Sequence, residues 1–459
     1  MSISCDEALN AAGFGWFQIR LCLLCSMGYF AVCSELISMV MAQSGLKTSF
    51  GITSALQFSW LPFSANLASF FASIIVGKWA DSSGRRIPFI VSLLVSSVFG
   101  VASAFAPSFV WLIVFRSIAG FGLGGLTVVD YIVLVECTPR TWRNLSAQLV
   151  FVAGCLGVVY IAILGLFPLD SISSSIPAWR VLMFLGALPL IITVVIRFCV
   201  GTDTPQYLLA KGNAAEAQVL LDQIELTNKS LPALHWVVPD NDRTDEEEVN
   251  EQGDITQVLR APHTIPLAGV WIIQSLVYWG LTIFLPRVLK AAGIGNASLG
   301  LFFMGVAELP GVVLATLAAT QFGRPRAILA CQAFSVFGAV ITGFTTMFQL
   351  PGGVGLLGGS MFYMFLIPIW GLLFVLTPES YPVATRGAAT GFHHMCKGVP
   401  SLLAPFLAAS IIESEFANSF MFIWAGLLCL GIACTVWLSN VFPKQHYEIS
   451  KDNVVKTVF

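Results

Sequence analysis

Charged side chains are scarce in this chain. They make up 10% of its 459 residues, whereas soluble domains carry roughly 25%. The 23 basic and 25 acidic residues are too few to cover the surface of a water-soluble protein of this length, so much of the apolar surface has to face lipid. The basic residues form no dense run, which indicates neither nucleic-acid binding nor a polybasic membrane patch.

Motifs for covalent or metal chemistry are also absent. The sequence contains no glycine-rich phosphate loop, no cluster of metal ligands and no nucleophilic triad of suitable spacing. We therefore expect neither ATP-driven transport nor an enzyme, and no cofactor. The 11 cysteines lie mostly in apolar runs, where cysteine acts as a small hydrophobic residue.

Long apolar runs, by contrast, fill most of the sequence. Because a helix needs about 20 apolar residues to cross a bilayer core, runs of that length predict membrane-spanning helices. Twelve are present, at 19–42, 54–79, 87–106, 108–134, 145–167, 177–200, 264–285, 298–319, 326–347, 352–377, 387–411 and 417–441. The chain is therefore predicted to be an all-α, multi-pass membrane protein.

The orientation follows from the basic residues, which favour cytoplasmic loops. With the amino terminus inside, most of them lie in inside segments, and the outside segments hold Lys47, Arg180, Arg287 and Lys290. No cleavable signal precedes the first run, so we expect it to act as an anchor. Both termini are predicted to be cytoplasmic, in a protein of the plasma membrane or an internal vesicle membrane.

A polar stretch divides the twelve runs into two sets of six. We predict cytoplasmic segments at 1–18 and 442–459, helical bundles at 19–200 and 263–441, and a cytoplasmic connector at 201–262. Within the connector, Thr204 before Pro205 predicts the start of a helix. The acidic run at 245–248 is interpreted as a solvated surface.

Two short motifs occur once in each half. ECTPRTWR at 136–143 and ESYPVATR at 379–386 share the pattern Glu-x-x-Pro-x-x-x-Arg, and GRRIP at 84–88 has a counterpart in GRPR at 323–326. The copies are separated by 243 and 239 residues, which are nearly equal offsets. Parallel repeats of six helices are a known transporter architecture.

GKWADSSGRR at 77–86 resembles the Gly-x-x-x-Asp-x-x-Gly-Arg-Arg signature of the major facilitator superfamily, and it lies between the second and third spans as in that family. The resemblance implies two pseudo-symmetric six-helix halves that rock about a central solute site. It also implies that Gly77 lets helices approach, that Asp81 caps a helix and pairs with arginine, and that Arg85 and Arg86 hold the cytoplasmic gate.

The resemblance narrows to one branch, which contains synaptic-vesicle-glycoprotein-related proteins, organic ion transporters and bacterial niacin or aromatic-acid carriers. It rests on DEALNAAGFGWFQIRL at 6–21, TPQYLLAKGNAAEA at 204–217, AELPG at 307–311 and PESYPVATRG at 378–387. Two positions depart from that pattern and bear on proton coupling and on the symmetry of the gate. Val32 stands where the first helix tends to carry aspartate, and Thr320 stands at the equivalent of Asp81.

Ion pairs among charged residues of the cytoplasmic loops are expected to close the cytoplasmic gate when the site faces outward. The residues predicted to form them are Asp81, Arg85, Glu136, Arg143, Glu379 and Arg386.

Five charged residues fall within the predicted spans: Glu35, Arg116, Asp130, Glu308 and Lys397. Lone ions are costly in hydrocarbon, so such residues usually face a cavity or a partner. Asp130 is interpreted as structural, while Glu35 is open between solute or proton contact and structural pairing. Arg116, with the glycines that follow it, resembles the family's helix 4 motif. Arg116, Glu308 and Lys397, together with Glu35, are candidates for binding the solute or an ion.

Lys397 lies 11 residues after Arg386, which is about 16 Å along a helix and places it near the bilayer midplane. In the resembled branch, a basic residue near this position goes with anionic substrates. We therefore predict a small organic anion as the solute, such as an aromatic carboxylate. The alternative for Lys397 is an internal ion pair with Glu308.

Aromatic residues on the seventh and tenth spans are candidates for stacking on the solute, because those helices line the cavity in the resembled fold. They are Tyr278, Trp279, Phe362, Tyr363 and Trp370. His393 and His394 precede Lys397 by one turn and either titrate near neutral pH or simply pack.

Together these features predict a monomeric secondary transporter of a small organic solute that works by alternating access, with protons or another ion as an open coupling partner. The alternative is a transporter-fold receptor or vesicle scaffold that does not transport, which the absence of the helix 1 aspartate favours. A channel is less favoured, because no pore-loop signature interrupts the spans.

Overall fold

The computed structural model describes residues 5–167, 176–200, 203–229, 255–381 and 383–441, with the backbone alone at a few helical positions that include Asp81 and Arg386. Twelve helices in these ranges are long and apolar enough to cross a membrane. The predicted all-helical fold with twelve spans is therefore confirmed. The acidic run at 245–248 and the tail at 442–459 lie outside the described residues.

The first half of the chain forms six long helices and two short ones, one at the amino terminus and one after the first span. Its helices are α1 (Cys5–Ala12), α2 (Trp16–Met41), α3 (Gln43–Phe50), α4 (Ala55–Ser83), α5 (Arg86–Ala104), α6 (Phe109–Glu136), α7 (Arg143–Leu166) and α8 (Ala178–Val200). The connector contains α9 (Pro205–Ala210), α10 (Ala214–Lys229) and α11 (Ile255–Arg260). We call the side of the bundle that bears α1 and these three helices the connector side.

The second half repeats the arrangement. Its helices are α12 (Thr264–Ala291), α13 (Ala297–Phe322), α14 (Arg324–Phe348), α15 (Gly352–Leu366), α16 (Pro368–Glu379), α17 (Val383–Ile412) and α18 (Phe420–Val441). Helices α15 and α16 together form the tenth span. They are divided at Ile367, because the following Pro368 has no backbone N–H to continue the hydrogen-bonding pattern.

Local sequence signals explain where several helices begin and turn. The Thr204 side chain accepts a hydrogen bond from the Tyr207 backbone N–H at 3.4 Å, and Pro205 occupies the first turn of α9, as predicted. The turns that follow α4 and α13 are alike, since Gly84 has φ 89° and Gly323 has φ 84°. This backbone region strongly favours glycine, so the repeated GR motif encodes a repeated turn.

Within the first half, α6 packs closely against both α4 and α5, while α2 packs against α7 and α8. The glycines of α6 permit this approach. A Cβ atom at Gly120 would clash with the backbone of Ala65, and one at Gly124 would clash with the backbone of Ser69, both on α4. These glycines therefore have a packing role.

The two halves meet along two seams, α7 against α13 and α4 against α17, and α2 meets α12 between them. The α4–α17 seam is closed on the side opposite the connector, where the Ser59 hydroxyl donates to the Pro405 carbonyl at 3.0 Å. Toward the connector side, the Tyr131 hydroxyl of α6 donates to the Phe374 carbonyl of α16 at 3.1 Å. The residues between the halves thus lie between contacts on both sides.

Candidate binding site between the two halves

Lys397 lies on α17 with its ammonium group against aromatic rings of α16. Its Nζ atom is 5.4 Å from the ring centroid of Trp370 and 5.3 Å from that of Phe374. Among the residues that the structure describes, no carboxylate oxygen lies within 4.0 Å of this ammonium. The ammonium lies against the ring faces. Its N–H groups form no hydrogen bond to another described residue, so they can donate to an anion.

The rings around Lys397 form a cluster that we call the aromatic box, which consists of Trp271, Tyr278, Trp370 and Phe374. The centroid of Trp271 is 5.7 Å from Trp370 and 5.2 Å from Phe374, and that of Tyr278 is 5.8 Å from Trp370. Two of these pairs are nearly perpendicular, at 88° and 85°. Edge-to-face rings of this kind present both faces and edges to a planar ligand.

The first half contributes a second group of rings. Phe151 on α7 lies 5.9 Å from Phe374 between centroids, Tyr131 lies 5.5 Å from Phe374, and Tyr29 on α2 lies 5.2 Å from Phe151. One turn before Phe151, the Gln148 side chain is buried, and neither of its amide atoms has a hydrogen-bond partner in the described part of the chain. The site is therefore built from both halves.

The aromatic residues predicted from the sequence divide between the site and its surroundings. Tyr278 and Trp370 belong to the aromatic box. Trp279 packs edge-on against Tyr278 at 5.3 Å, and its indole N–H has no partner among the described residues. Phe362 is fully buried in the hydrophobic core, and Tyr363 lies beside it at 5.5 Å.

The two histidines differ in their surroundings. The His394 ring lies 5.3 Å from Phe374 and 5.8 Å from Trp271, at the margin of the aromatic box. His393 is completely buried, its Nδ1 atom is 2.8 Å from the Ala389 carbonyl, and its ring packs near Tyr381. The burial and contacts of His393 favour the packing role among the two alternatives.

Glu308 forms a second polar centre at the α7–α13 seam. Its carboxyl group is buried and contacts the Cys155 thiol on α7. The phenols of Tyr29, Tyr278 and Tyr363 also lie close enough to interact with it electrostatically. No lysine or arginine of the described chain comes within 4.0 Å, so the alternative ion pair with Lys397 is not formed in this structure.

Glu35 and Arg116, both predicted to bind solute or ions, are paired with each other inside the first half. The Arg116 guanidinium forms an ion pair with the Glu35 carboxylate and also donates to the Glu35 carbonyl at 3.3 Å. A Cβ atom at Gly100 of α5 would lie 2.9 Å from the same carboxylate. The pair thus lies among α2, α5 and α6. Of the two alternatives for Glu35, solute or proton contact and structural pairing, the structure contains the pairing.

A similar buried pair joins Asp130 of α6 to Arg197 of α8. The Arg197 guanidinium also approaches the Cys25 sulfur at 3.4 Å, and the Cys25 thiol donates weakly to the Asp130 carbonyl at 3.8 Å. These contacts tie three helices of the first half together, which agrees with the structural interpretation of Asp130.

The predicted gate residues form ion pairs within each half. Arg85 binds Glu136 through two hydrogen bonds, of 2.8 and 3.2 Å, and Arg324 pairs with Glu379 in the second half. In each pair the arginine lies in the turn after one span, α4 or α13. The glutamate lies at the end of a later span, α6 or α16. The repeated motifs therefore encode a repeated arginine–carboxylate contact, which is forked in the first half.

The other predicted gate residues are placed differently. Arg143 pairs with Asp6 of α1 at 2.7 Å, and the exposed Arg86 donates its backbone N–H to Asp203 at 3.1 Å. At Gly77, the nearest atom to an added Cβ would be on Val128 at 3.9 Å, so no close helix approach occurs there. The side chains of Asp81 and Arg386 are outside what the structure describes.

Asp6 was not predicted from the sequence, yet it fastens α1 to the connector side of the first half through Arg140 at 2.6 Å and Arg143 at 2.7 Å. Burial alone would raise the pKa of the Asp6 carboxyl, but Arg143 and Arg140 together outweigh burial and lower it. This pairing therefore stabilises the fold above the ordinary aspartate pKa, and the contribution is lost as the pH falls below about 4.

We expect Asp6→Asn to lower the unfolding temperature of the purified protein at pH 7. The loss corresponds to about 1 kcal/mol, because partly exposed ion pairs are screened by water. The difference from the wild type should narrow below about pH 4. Glu216→Gln, at an exposed position on α10, is the matched control and should have no effect. An Asp6→Asn difference that stayed constant with pH would contradict this role.

Comparison with known proteins gives a consistent result. Residues 25–445 match the profile of the family described as "Sugar (and other) transporter". Relatives include the putative transporter svop-1 of Caenorhabditis elegans, 27% identical over 90% of this chain and 80% of that protein. The organic cation/carnitine transporter 4 of Arabidopsis thaliana is 25% identical over 83% of this chain and 72% of that protein. The niacin transporter NiaP of Acinetobacter baylyi is 25% identical over 92% of this chain and 93% of that protein.

Among solved structures, the chain is similar to the major facilitator superfamily proton:xylose symporter XylE bound to 6-bromo-6-deoxy-D-glucose. The TM-score is 0.76 at 18% identity, over 93% of this chain and 96% of that one. This likeness confirms the predicted fold.

Proposed function

Because this chain belongs to the sugar (and other) transporter family of the major facilitator superfamily, and is thus a secondary transporter of small solutes and not an enzyme, we propose that its solute is a small aromatic carboxylate. The observation that carries the proposal is the Lys397 ammonium. It lies beside the aromatic box, without a carboxylate partner among the described residues.

Electrostatics favours an anion at this position. An ammonium group in a region of low dielectric attracts a carboxylate strongly and repels a cation. The rings of Trp370 and Phe374 beside it offer faces and edges to an aromatic solute. Among the relatives, the name of the niacin transporter indicates a carboxylate solute, whereas the name of the organic cation/carnitine transporter includes a cation. The positive charge of Lys397 favours the carboxylate.

The test is a thermal-shift screen of the purified protein with benzoate, nicotinate, choline, a nucleoside and a sugar. A ligand at 100 times its dissociation constant stabilises by about 2.7 kcal/mol through mass action. We expect stabilisation by the aromatic acids. Stabilisation by choline or the sugar in their place would contradict the proposal, and stabilisation without flux in proteoliposomes would favour the receptor or scaffold.

Proton coupling is a further part of the proposal, and Glu308 supports it. A carboxylate buried without a cation is costly, so Glu308 carries a proton while the seam is closed. Because it contacts Cys155 across the α7–α13 seam, rocking of the halves exposes Glu308 to water, where it releases the proton. The xylose symporter with the same fold is proton-coupled by its name.

The orientation is also proposed. Arg85, Arg143 and Arg324 lie at helix ends on the connector side, which is the side expected to face the cytoplasm. Both termini would then be cytoplasmic, in the plasma membrane or an internal vesicle membrane.

A further inference from the structure

We infer that Gln148 contacts the solute and selects aromatic acids that bear a hydrogen-bonding group on the ring, such as a ring nitrogen or a hydroxyl. This inference deepens the proposed function and rests on it. It assigns a specificity-determining residue to the half of the protein that does not carry Lys397.

The first observation is that the Gln148 amide is buried and unused. The residue is 2% exposed, and both Oε1 and Nε2 have no hydrogen-bond partner within the described part of the chain. Buried amides are nearly always hydrogen-bonded, because leaving them unpaired is destabilising. An unpaired donor and acceptor on one side chain therefore indicate a partner that comes from outside the chain.

The second observation is where this amide lies. A Cβ atom added to Gly371 of α16 would be 2.6 Å from both Oε1 and Nε2 of Gln148, so the amide lies directly against α16 across the seam between the halves. Gly371 follows Trp370, and Phe151, one turn after Gln148, packs against Phe374. The amide is thus at the margin of the aromatic box, on the first-half side.

The two polar groups approach the aromatic box from different halves. Lys397 reaches Trp370 and Phe374 from α17, and Gln148 reaches the neighbouring Gly371 from α7. A planar acid that places its carboxylate at Lys397 lies between the ring faces and directs part of its ring toward the amide. Such a solute contacts both halves at once. In alternating access, a ligand can couple the movement of the two halves only if it contacts both of them.

The chemistry of the amide defines the solute class. Nε2 donates and Oε1 accepts, so a pyridine nitrogen accepts from the amide and a phenolic hydroxyl can do both. An unsubstituted benzene ring does neither and leaves the amide unpaired. A site that is built to form such a hydrogen bond discriminates against the analogue that lacks the group. Pyridinecarboxylates or hydroxybenzoates should therefore bind more tightly than benzoate.

The experiment measures dissociation constants of nicotinate, 4-hydroxybenzoate and benzoate for the full-length wild type and for Gln148→Leu, by titration calorimetry. We expect the wild type to bind at least one substituted acid roughly tenfold or more tightly than benzoate. In Gln148→Leu that ratio should fall toward one, because the variant cannot form the hydrogen bond that distinguishes the substituted acids from benzoate.

Gln43→Leu is the matched control, because Gln43 is also buried with an unpaired Nε2 but lies on α3, away from the aromatic box. It should leave the ratio unchanged. Equal weakening of all three acids by Gln148→Leu, or an unchanged ratio, would overturn the inference. If Lys397→Gln bound every acid as tightly as the wild type, the anion site itself would be overturned. Failure of the Gln148 inference can therefore be distinguished from failure of the proposed function.

Discussion

Replacement of Lys397 by glutamine is expected to reduce the uptake of aromatic acids by roughly 30-fold or more. Removal of one member of a buried, hydrogen-bonded charge pair weakens binding by about 2–5 kcal/mol. Glutamine is polar but uncharged, and its side chain is one atom shorter than that of lysine, so the contacts with Trp370 and Phe374 lose their cationic part. Arginine at the same position should retain part of the uptake. Initial rates in proteoliposomes measure both effects.

The control for this prediction is Lys290→Gln, which removes a charge from an exposed position at the end of α12. It should transport at the wild-type rate. Equal rates for Lys397→Gln and the wild type would show that the ammonium does not bind the solute, and the anion proposal would then fail.

The second large effect concerns Glu308. We expect Glu308→Gln to abolish the stimulation of uptake by an inward proton gradient while exchange of solute across the membrane continues. Glutamine imitates the protonated carboxyl group, so the halves can still close over it, but it has no proton to release. The measurement compares uptake with and without an imposed pH gradient, and counterflow at equal pH on both sides.

The groups that face Glu308 define what else can titrate there. They are Tyr29 and Cys33 on α2, Cys155 on α7, Tyr278 on α12 and Tyr363 on α15. All are neutral near pH 7 in their ordinary forms, so the carboxyl group is the expected carrier. Glu415→Gln, at an exposed position, should retain the full gradient effect. A Glu308→Gln protein that was still driven by the gradient would exclude Glu308 as the coupling site.

The twelve spans and the repeat could be predicted because they depend on local properties of the chain. Apolar length determines a span, and the glycines at 84 and 323 require the same left-handed turn in both halves. The partners of the repeated charges could not be predicted in this way. Arg85 meets Glu136 and Glu379 meets Arg324, pairs that depend on how helices distant in sequence are arranged.

The binding site was predicted in part, for a related physical reason. Lys397 is a charge in an apolar run and so stands out in the sequence. Phe151, Trp271 and Phe374 do not, because a helix face that packs on another helix is as apolar as one that faces lipid. Gln148 was also missed, although a polar amide inside the fifth span was a signal that the sequence contained.

Glu35 shows a second limit of prediction from sequence, in which the residue is noticed but its role is not determined. Its charge was visible in the sequence, but whether it met a solute or a partner depended on Arg116, which is 81 residues away and lies beside it in the fold. A buried ion pair of this kind is consistent with a structural role, since removal of one partner leaves an uncompensated charge.

The central claim is that a negative charge on the solute is recognised at Lys397, and the most direct test compares benzoate with benzamide, its neutral analogue of nearly the same shape. Titration calorimetry of the purified wild type and of Lys397→Gln gives the affinity of each ligand. We predict that the wild type binds benzoate far more tightly than benzamide and that Lys397→Gln loses this preference. Equal binding of the two ligands by the wild type, or an undiminished preference in the variant, would contradict the account.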